Sequence, residues 1–505
     1  MQGVHLRAGA PPVNADAAGA VVGGAVAQAK AAQPAWAALG PRERARRLAP
    51  VKNHLLDRAE AIAECVHVEV GKPRVEGLLG EVLPSADVMD YWVRWIVELL
   101  LPSEVELDPL AYPGKRGTTF REARGIVALI TPYNFPVALP LRTIVPALLC
   151  GNAVVFKPSE VTPRSGDLIA ELFQGALPDG ILSVVQGAGD VGAALCSADV
   201  DLVVFTGSVP SGRKVAHACA ERLIPCALEL GGKDAAIVLA DANLERAANG
   251  IVWGGMMNAG QNCASVERVY VEESVAAAFT KQVCTLVASL RSRIDVGSLA
   301  TPAQREVVSR QVDDARASGS EIVCGGPGIG DALHYPPTVV RVSGDDSALM
   351  RDETFGPVLP IAVVAGAEEA IARANASRFG LTASVLTRDV EKAQRIARQL
   401  RAGVVTINNH GFTGAVPAAP WSGYGESGWG ITNSPLALDA LTRPRFVLID
   451  RSRARRELWW YPYTAALEAV ATAMATIRSS TRPLLARAGA LVALVRAMLQ
   501  RRREL

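Results

Sequence analysis

The pattern of apolar and polar positions changes character near Gly125. Before it, apolar residues recur three and four apart, the spacing of helices with one buried face. One helix is expected over residues 14–40, with Asn14 or Asp16 as its cap and Gly40-Pro41 as its stop. A second is expected over 41–70 and a third over about 74–100. Residues 102–119 are polar, turn at Pro113-Gly114, and read as an extended arm. From Gly125 onward short apolar runs alternate with helical stretches; 125–130, 152–157, 181–186, 202–207 and 226–230 read as strands. The alternation resumes after Lys233, with strands at 235–240, 268–273 and 403–409. Helices are expected over 274–292, with Ser274 as cap, and over 367–377 and 390–401. Such alternation predicts parallel β-α-β units, so the fold class is α/β with a doubly wound sheet and a second α/β unit. Ligands then bind at the carboxyl ends of the strands.

A chain of 505 residues exceeds one hydrophobic core and predicts two or three domains. Half of it is apolar and a fifth charged, the balance of a soluble globular protein. The net charge of +2 gives no general case for nucleic acid. Eight cysteines form no C-x-x-C pair or Cys/His ligand spacing, which argues against both a disulfide framework and a metal site. No secretory leader and no run of 18 uncharged apolar residues is present, so a reduced, cytoplasmic location is expected.

The candidate chemistry centres on residues 226–268. Cys263 follows Gly260-Gln261-Asn262, a bend and two polar groups, and such a thiol is either a presented nucleophile or a small buried hydrophobe. Glu229 sits in the strand-like run CALEL, where apolar neighbours would raise its pKa towards base duty; otherwise it is a partnered structural charge. At the end of the first strand, Pro132 and Pro136 bracket Asn134. Its amide is either an aimed donor for a developing oxyanion or satisfies its own turn. Gly187-Ala-Gly-Asp-Val-Gly192 is a literal G-x-G-x-x-G, yet Val209-Pro210 stand where the ribose-binding acid would fall, so a role in shape is expected.

ALELGGKDAAIV with NAGQNCASVERVYV closely resembles the two signatures of the aldehyde dehydrogenase superfamily, over about 27–447. The resemblance implies that Cys263 is the nucleophile, Glu229 the base that activates water, and Asn134 an oxyanion donor. It implies hydrolytic, carboxylate-forming chemistry, since relatives that pass the acyl group to coenzyme A lack the Glu. TPYNFP resembles the family's TPWNFP-type motif, with Tyr133 in place of Trp. Lys157-Pro-Ser159-Glu160 resembles its ribose-binding turn, and Glu160 favours NAD over NADP, because a carboxylate repels a 2′-phosphate. Glu353-Thr-Phe355-Gly-Pro resembles its nicotinamide-riboside motif. By the same resemblance Thr131, Pro132, Tyr133, Lys157, Ser159, Gly189, Gly192, Phe205, Ser208, Leu230 and Gly231 also contact the cofactor.

The implied domains are a cofactor domain (1–101 and 123–230), a catalytic domain (231–442), an oligomerisation element (102–122 and 443–463) and a helical extension (464–505). The substrate is a small-molecule aldehyde. Trp253, Met256, Met257, Trp421 and Trp429 suggest an apolar tunnel for an aliphatic or aromatic one, with a semialdehyde or a non-catalytic scaffold as alternatives. PWSGYGESGWG resembles the family's glycine-rich loop, but Ile431-Thr432 replace the Arg-Glu that often follows, so a second acidic helper is missing. A homodimer or homotetramer is implied. The tail interleaves arginine with apolar positions and reads as a helix packed on a partner subunit or, alternatively, lying on a membrane.

Overall fold

The computed structural model describes residues 15–109, 111–326, 333–411, 413–453 and 455–504. They form two compact units: the described residues up to Leu101 with Arg121–Arg445, and Pro102–Phe120 with the residues from Phe446 onward.

The first unit carries two sheets. Strands β1 (Ile126–Ile130), β2 (Ala153–Lys157), β3 (Leu182–Val184), β4 (Leu202–Thr206) and β5 (Cys226–Glu229) lie in the order β3-β2-β1-β4-β5, every pair parallel. Register brings Ile130 beside Lys157 and Phe205, and Thr206 beside Glu229. Sequence-distant turns therefore open on one edge of the sheet. The second sheet contains β6 (Asp234–Val238), β7 (Val266–Glu272), β8 (Glu321–Cys324), β9 (Thr338–Arg341), β10 (Val358–Val364), β11 (Thr382–Leu386) and β12 (Val404–Ile407). Its order is β8-β9-β10-β7-β6-β11-β12, antiparallel only at β8–β9. The central strands of both sheets are buried on both faces, as crossover helices require. Phe156 and Trp92 are fully buried; each such ring contributes about 2–3 kcal/mol of apolar burial.

The strand expectations hold to within a residue or two; the helices differ more. The first spans Ala15–Ala38, and Asn14 lies outside the described residues. The helix expected over 41–70 is three, Pro41–Leu48, Val51–Asp57 and Ala59–Val70, interrupted near Pro50 and Arg58. The third is an α-turn at Arg74–Gly77, a π-helical turn over Leu78–Val82, and a helix from Leu83 to Leu99. Pro84 lacks the N–H that would continue the regular ladder there. Ser274 is not a cap: the helix Glu273–Ser289 begins one residue before it.

In the second unit, Ser103–Val105 pairs antiparallel with the strand Lys115–Ala123, in a three-stranded sheet completed by Thr442–Asp450. The expected single helical tail is two helices, Ala465–Arg478 and Leu484–Glu504, with Pro483 before the second. Arg501 is fully buried and donates to the carbonyls of Leu458 and Trp460, so it does not belong to an exposed basic face. Among the described residues no helix is long and apolar enough to cross a membrane.

Candidate active site

Two recesses meet the carboxyl edge of the first sheet. The larger, of about 1130 Å³, is a groove lined by Thr131, Pro132, Tyr133, Lys157, Ser159, Glu160, Gly189, Gly192, Phe205 and Ser208. All ten were expected on sequence grounds; Lys214 lines it too and was missed, for want of any motif. Lys157 Nζ donates to the carbonyls of Pro158 and Gly187, both at 2.7 Å, and stands 3.7 Å from the half-exposed Glu160 carboxylate. Burial pushes the Lys157 pKa down. Gly187 has φ +146°, and a Cβ there would meet Val191 at 2.3 Å, so the glycine turn is shaped by packing. The helix Val209–Glu221 opens at Ser208 with no side chain capping its N–H groups, a seat for an anion. This donor set fits a dinucleotide.

The second recess, of about 730 Å³, contains Cys263. Three successive residues before it, Asn258 (φ 54°), Ala259 (φ 53°) and Gly260 (φ 72°), take left-handed backbone, which L-residues other than glycine adopt rarely. Several groups hold that turn. Asn258 N–H donates to the Glu76 carboxylate at 2.9 Å, and Asn258 Nδ2 donates to the carbonyls of Asn134 and Gln261, each at 3.0 Å. A Cβ on Gly260 would stand 2.0 Å from the Gly356 carbonyl oxygen, so glycine is obligatory. Burial first, then the Glu229 charge, hold the Cys263 thiol well above its ordinary pKa, while Arg142 acts in the opposite sense.

Asn134 is 2 % exposed and its Oδ1 has no hydrogen-bond partner among the described residues. Its carbonyl also accepts from Lys72 Nζ at 2.8 Å. Lys72 in turn pairs with Glu81, whose other oxygen accepts from the N–H groups of Val137 (3.1 Å) and Ala138 (2.8 Å) at the start of the helix Ala138–Leu149. This buried pair, 1 % and 0 % exposed, fixes the Asn134 loop against that helix.

Glu229 does not face apolar neighbours. One carboxylate oxygen accepts from Arg142 Nη2 at 2.5 Å and the other from Trp421 Nε1 at 2.6 Å. Trp421 is held in turn by two backbone hydrogen bonds with Thr432, 2.8 and 3.0 Å. Of the residues expected to line the tunnel, Trp253, Met257 and Trp421 do. Trp429 is half exposed and donates to the Cys226 carbonyl, and neither it nor Met256 lines this recess.

Leu230, Gly231, Glu353 and Phe355, also expected at the cofactor, are not among the groove-lining residues; Glu353 Oε1 accepts from Gly232 N–H at 3.2 Å, and burial, then the Glu267 charge, push its pKa up to about 8. A Cβ on Gly231 would lie 2.4 Å from Glu353 Oε2, so that carboxylate can approach only because the residue is glycine. Leu230 is buried beside it. Phe355 has φ +50° and sets its ring edge-on to Tyr133, centroids 6.2 Å apart. The 353–355 turn is anchored by Glu267, which accepts from the N–H groups of Thr354 (2.7 Å) and Phe355 (2.8 Å) and pairs with the buried Lys233 at 2.7 Å. Burial pushes His410, in the wall of the Cys263 recess, down to about 4 and keeps it neutral. Among the described residues no cluster is suited to hold a metal.

The family described as the aldehyde dehydrogenase family matches residues 14–447. A 4,4′-diapolycopene aldehyde oxidase of Methylomonas is 38 % identical over 440 residues, 85 % of this chain and 82 % of that protein. A betaine aldehyde dehydrogenase of Cereibacter sphaeroides is 37 % identical over 444 residues, 86 % and 90 % of the two chains. Among solved structures, an NAD⁺ complex of an aldehyde dehydrogenase from Bacillus cereus superposes with a TM-score of 0.82 at 29 % identity, covering 87 % of this chain and 90 % of that one.

Proposed function

The chain belongs to the aldehyde dehydrogenase family, and on that premise we propose that it oxidises an apolar aldehyde to its carboxylic acid. The Cys263 thiol gives up its proton to solvent as its sulfur adds to the carbonyl carbon, and the Asn134 amide with the Cys263 N–H stabilises the oxyanion. NAD, held by the groove residues with Glu353 and Phe355, supplies the hydride acceptor when bound. The thioester left on Cys263 is released by water that Glu229 deprotonates. Glu160 at the groove supports NAD over a 2′-phosphorylated cofactor.

The observation that carries this reading is a recess that brings Cys263 together with Phe135 of the Asn134 loop and with Arg142 and Trp421, the two side chains that hold Glu229. Apolar chemistry is supported by the walls of that recess, which include Phe135, Leu139, Met257, Trp253 and Trp421. It also agrees with the relative named for a diapolycopene aldehyde. Arg142 does not favour an acid semialdehyde, because Glu229 already occupies it. The test is reduction of NAD by purified protein with aldehydes graded from short semialdehydes to long apolar chains. Cys263→Ala abolishes the signal. Glu229→Gln leaves one rapid turnover and then a steady rate lower by about a hundredfold or more. Full steady-state rate in Glu229→Gln overturns the base assignment.

The same reading extends to assembly and location. Eight of the nine residues of the strand Thr442–Asp450 are exposed, which supports pairing with a second copy in a homodimer or homotetramer. The second tail helix exposes Leu484, Leu485, Leu491, Val492, Val495 and Leu499. Residues 446–505 carry eleven arginines against four carboxylates. A basic helix with apolar residues in solvent supports peripheral contact with anionic lipid, suited to a lipophilic substrate. Co-sedimentation with anionic liposomes, lost on Leu484→Glu/Leu485→Glu substitution, tests it.

A further inference from the structure

Arg142 is the one ionisable residue of the helix Ala138–Leu149, whose other members are apolar, proline or threonine. Burying a guanidinium costs several kcal/mol unless a counter-charge and hydrogen bonds offset it. Here the counter-charge is Glu229, and the two side chains are 7 % and 9 % exposed. A purely structural Arg–carboxylate pair would close as a two-point fork. This pair is instead divided: Nη2 of Arg142 donates to one Glu229 oxygen, Trp421 donates to the other, and the buried Arg142 Nε–H has no partner among the described residues. Arg142 and Trp421 both line the recess that contains Cys263. The groups facing Glu229 are thus Arg142 from its helix, Trp421 from the glycine-rich loop, and Cys263 from the left-handed turn; Arg142 is the cation among them. At the position where an acidic helper was missed, Thr432 holds the Trp421 backbone instead.

We propose that Arg142 is a positioning residue for deacylation, holding the Glu229 carboxylate charged and aimed beside the recess that contains Cys263. The inference rests on the two-step reading above. In that step a water proton passes to a Glu229 oxygen as the water oxygen bonds the thioester carbon; the C–S bond then breaks, and the thiolate left on Cys263 takes up a proton. Glu229 can accept the proton only while it is ionised, and the neighbours other than Arg142 do not supply positive charge. Without the guanidinium, the buried Glu229 carboxylate loses the counter-charge that offsets the cost of its ionised form. Acylation, which does not use Glu229, is spared.

The experiment is rapid-mixing measurement of NADH formation by Arg142→Met, Arg142→Gln and Arg142→Lys across pH, each checked by thermal melting. Arg142→Met is expected to keep a burst of one NADH per site and lose about a hundredfold in steady-state rate at neutral pH, recovering as pH rises. Arg142→Lys, which restores the charge, stays within about tenfold of the parent. If Arg142→Met does not fold, Arg142→Gln carries the same expectations. A neutral variant with the parent's steady-state rate overturns the inference. So does equal loss of burst and steady state that neither high pH nor Arg142→Lys restores, since that is a structural role. Turnover surviving in Cys263→Ala, or no burst in Glu229→Gln, brings down the two-step reading instead.

Discussion

The groove at the strand ends and the recess around Cys263 are built on opposite principles. The groove is built mainly of turns that follow strands: two of its charged members, Lys157 and Glu160, are three residues apart, and the third, Lys214, comes from the helix Val209–Glu221. Its shape comes from backbone and glycine. Around the recess stand buried pairs, several between distant segments: Lys72 with Glu81 and the Asn134 carbonyl, Arg142 with Glu229, and Glu229 with Trp421. In the groove the half-exposed Glu160 carboxylate shares its charge with solvent, while beside the recess the buried Arg142 and Glu229 depend on each other. A binding surface can therefore tolerate loss of a charge that a reaction chamber cannot.

The contrast is broken most severely at Gly260. Gly260→Ala adds a Cβ where only 2.0 Å separates it from the Gly356 carbonyl oxygen, on backbone with φ +72°. Turnover is expected to fall by more than about a hundredfold, since small displacements of reacting groups cost that much. Cofactor binding, followed by fluorescence titration, should change little. Glu160→Gln sharpens the contrast from the other side: discrimination against a 2′-phosphorylated cofactor should relax by about tenfold, near 1.4 kcal/mol, with the NAD-linked kcat unchanged. Steady-state kinetics with both cofactors checks this.

The smallest expected effect is on stability. Burial raises Glu76 to about 7, outweighing the favourable Lys72 charge and the Asn258 hydrogen bond. The folded state then binds this proton more tightly than the unfolded chain. The group's contribution is full at low pH and is lost as pH rises through about 7. Asp234 and Glu353, both about 8, act in the same direction. The melting temperature should fall from about pH 5 to about pH 8, and Glu76→Gln should flatten that slope by about a third, as one of three such groups.

What could be read in advance follows from the same contrast. Strands and turns are local, so the α/β architecture and the segments TPYNFP, KPSE and ETFGP could be placed before any coordinates. The helix breaks near Pro50 and Arg58 and the π-helical turn before Pro84 depend on packing, and periodicity ran straight through them. Glu229 was expected among apolar groups, because its strand neighbours Leu228 and Leu230 are apolar. Its real neighbours are 87 and 192 residues away. One sign of the pairing is local: a solitary arginine inside ALPLRTIVPALL implies a buried counter-charge.

The turn at 258–260 also bears on chirality. Three consecutive residues there follow the path natural to D-amino acids, so for the length of a turn the chain is locally its own mirror image. A semisynthetic protein with D-alanine at Gly260 would keep that backbone at ease and carry its methyl group on the other bond of the α-carbon from the one that faces the Gly356 carbonyl. L-alanine would meet both obstacles. The handedness of a single carbon atom would then separate a working nucleophile from a misplaced one.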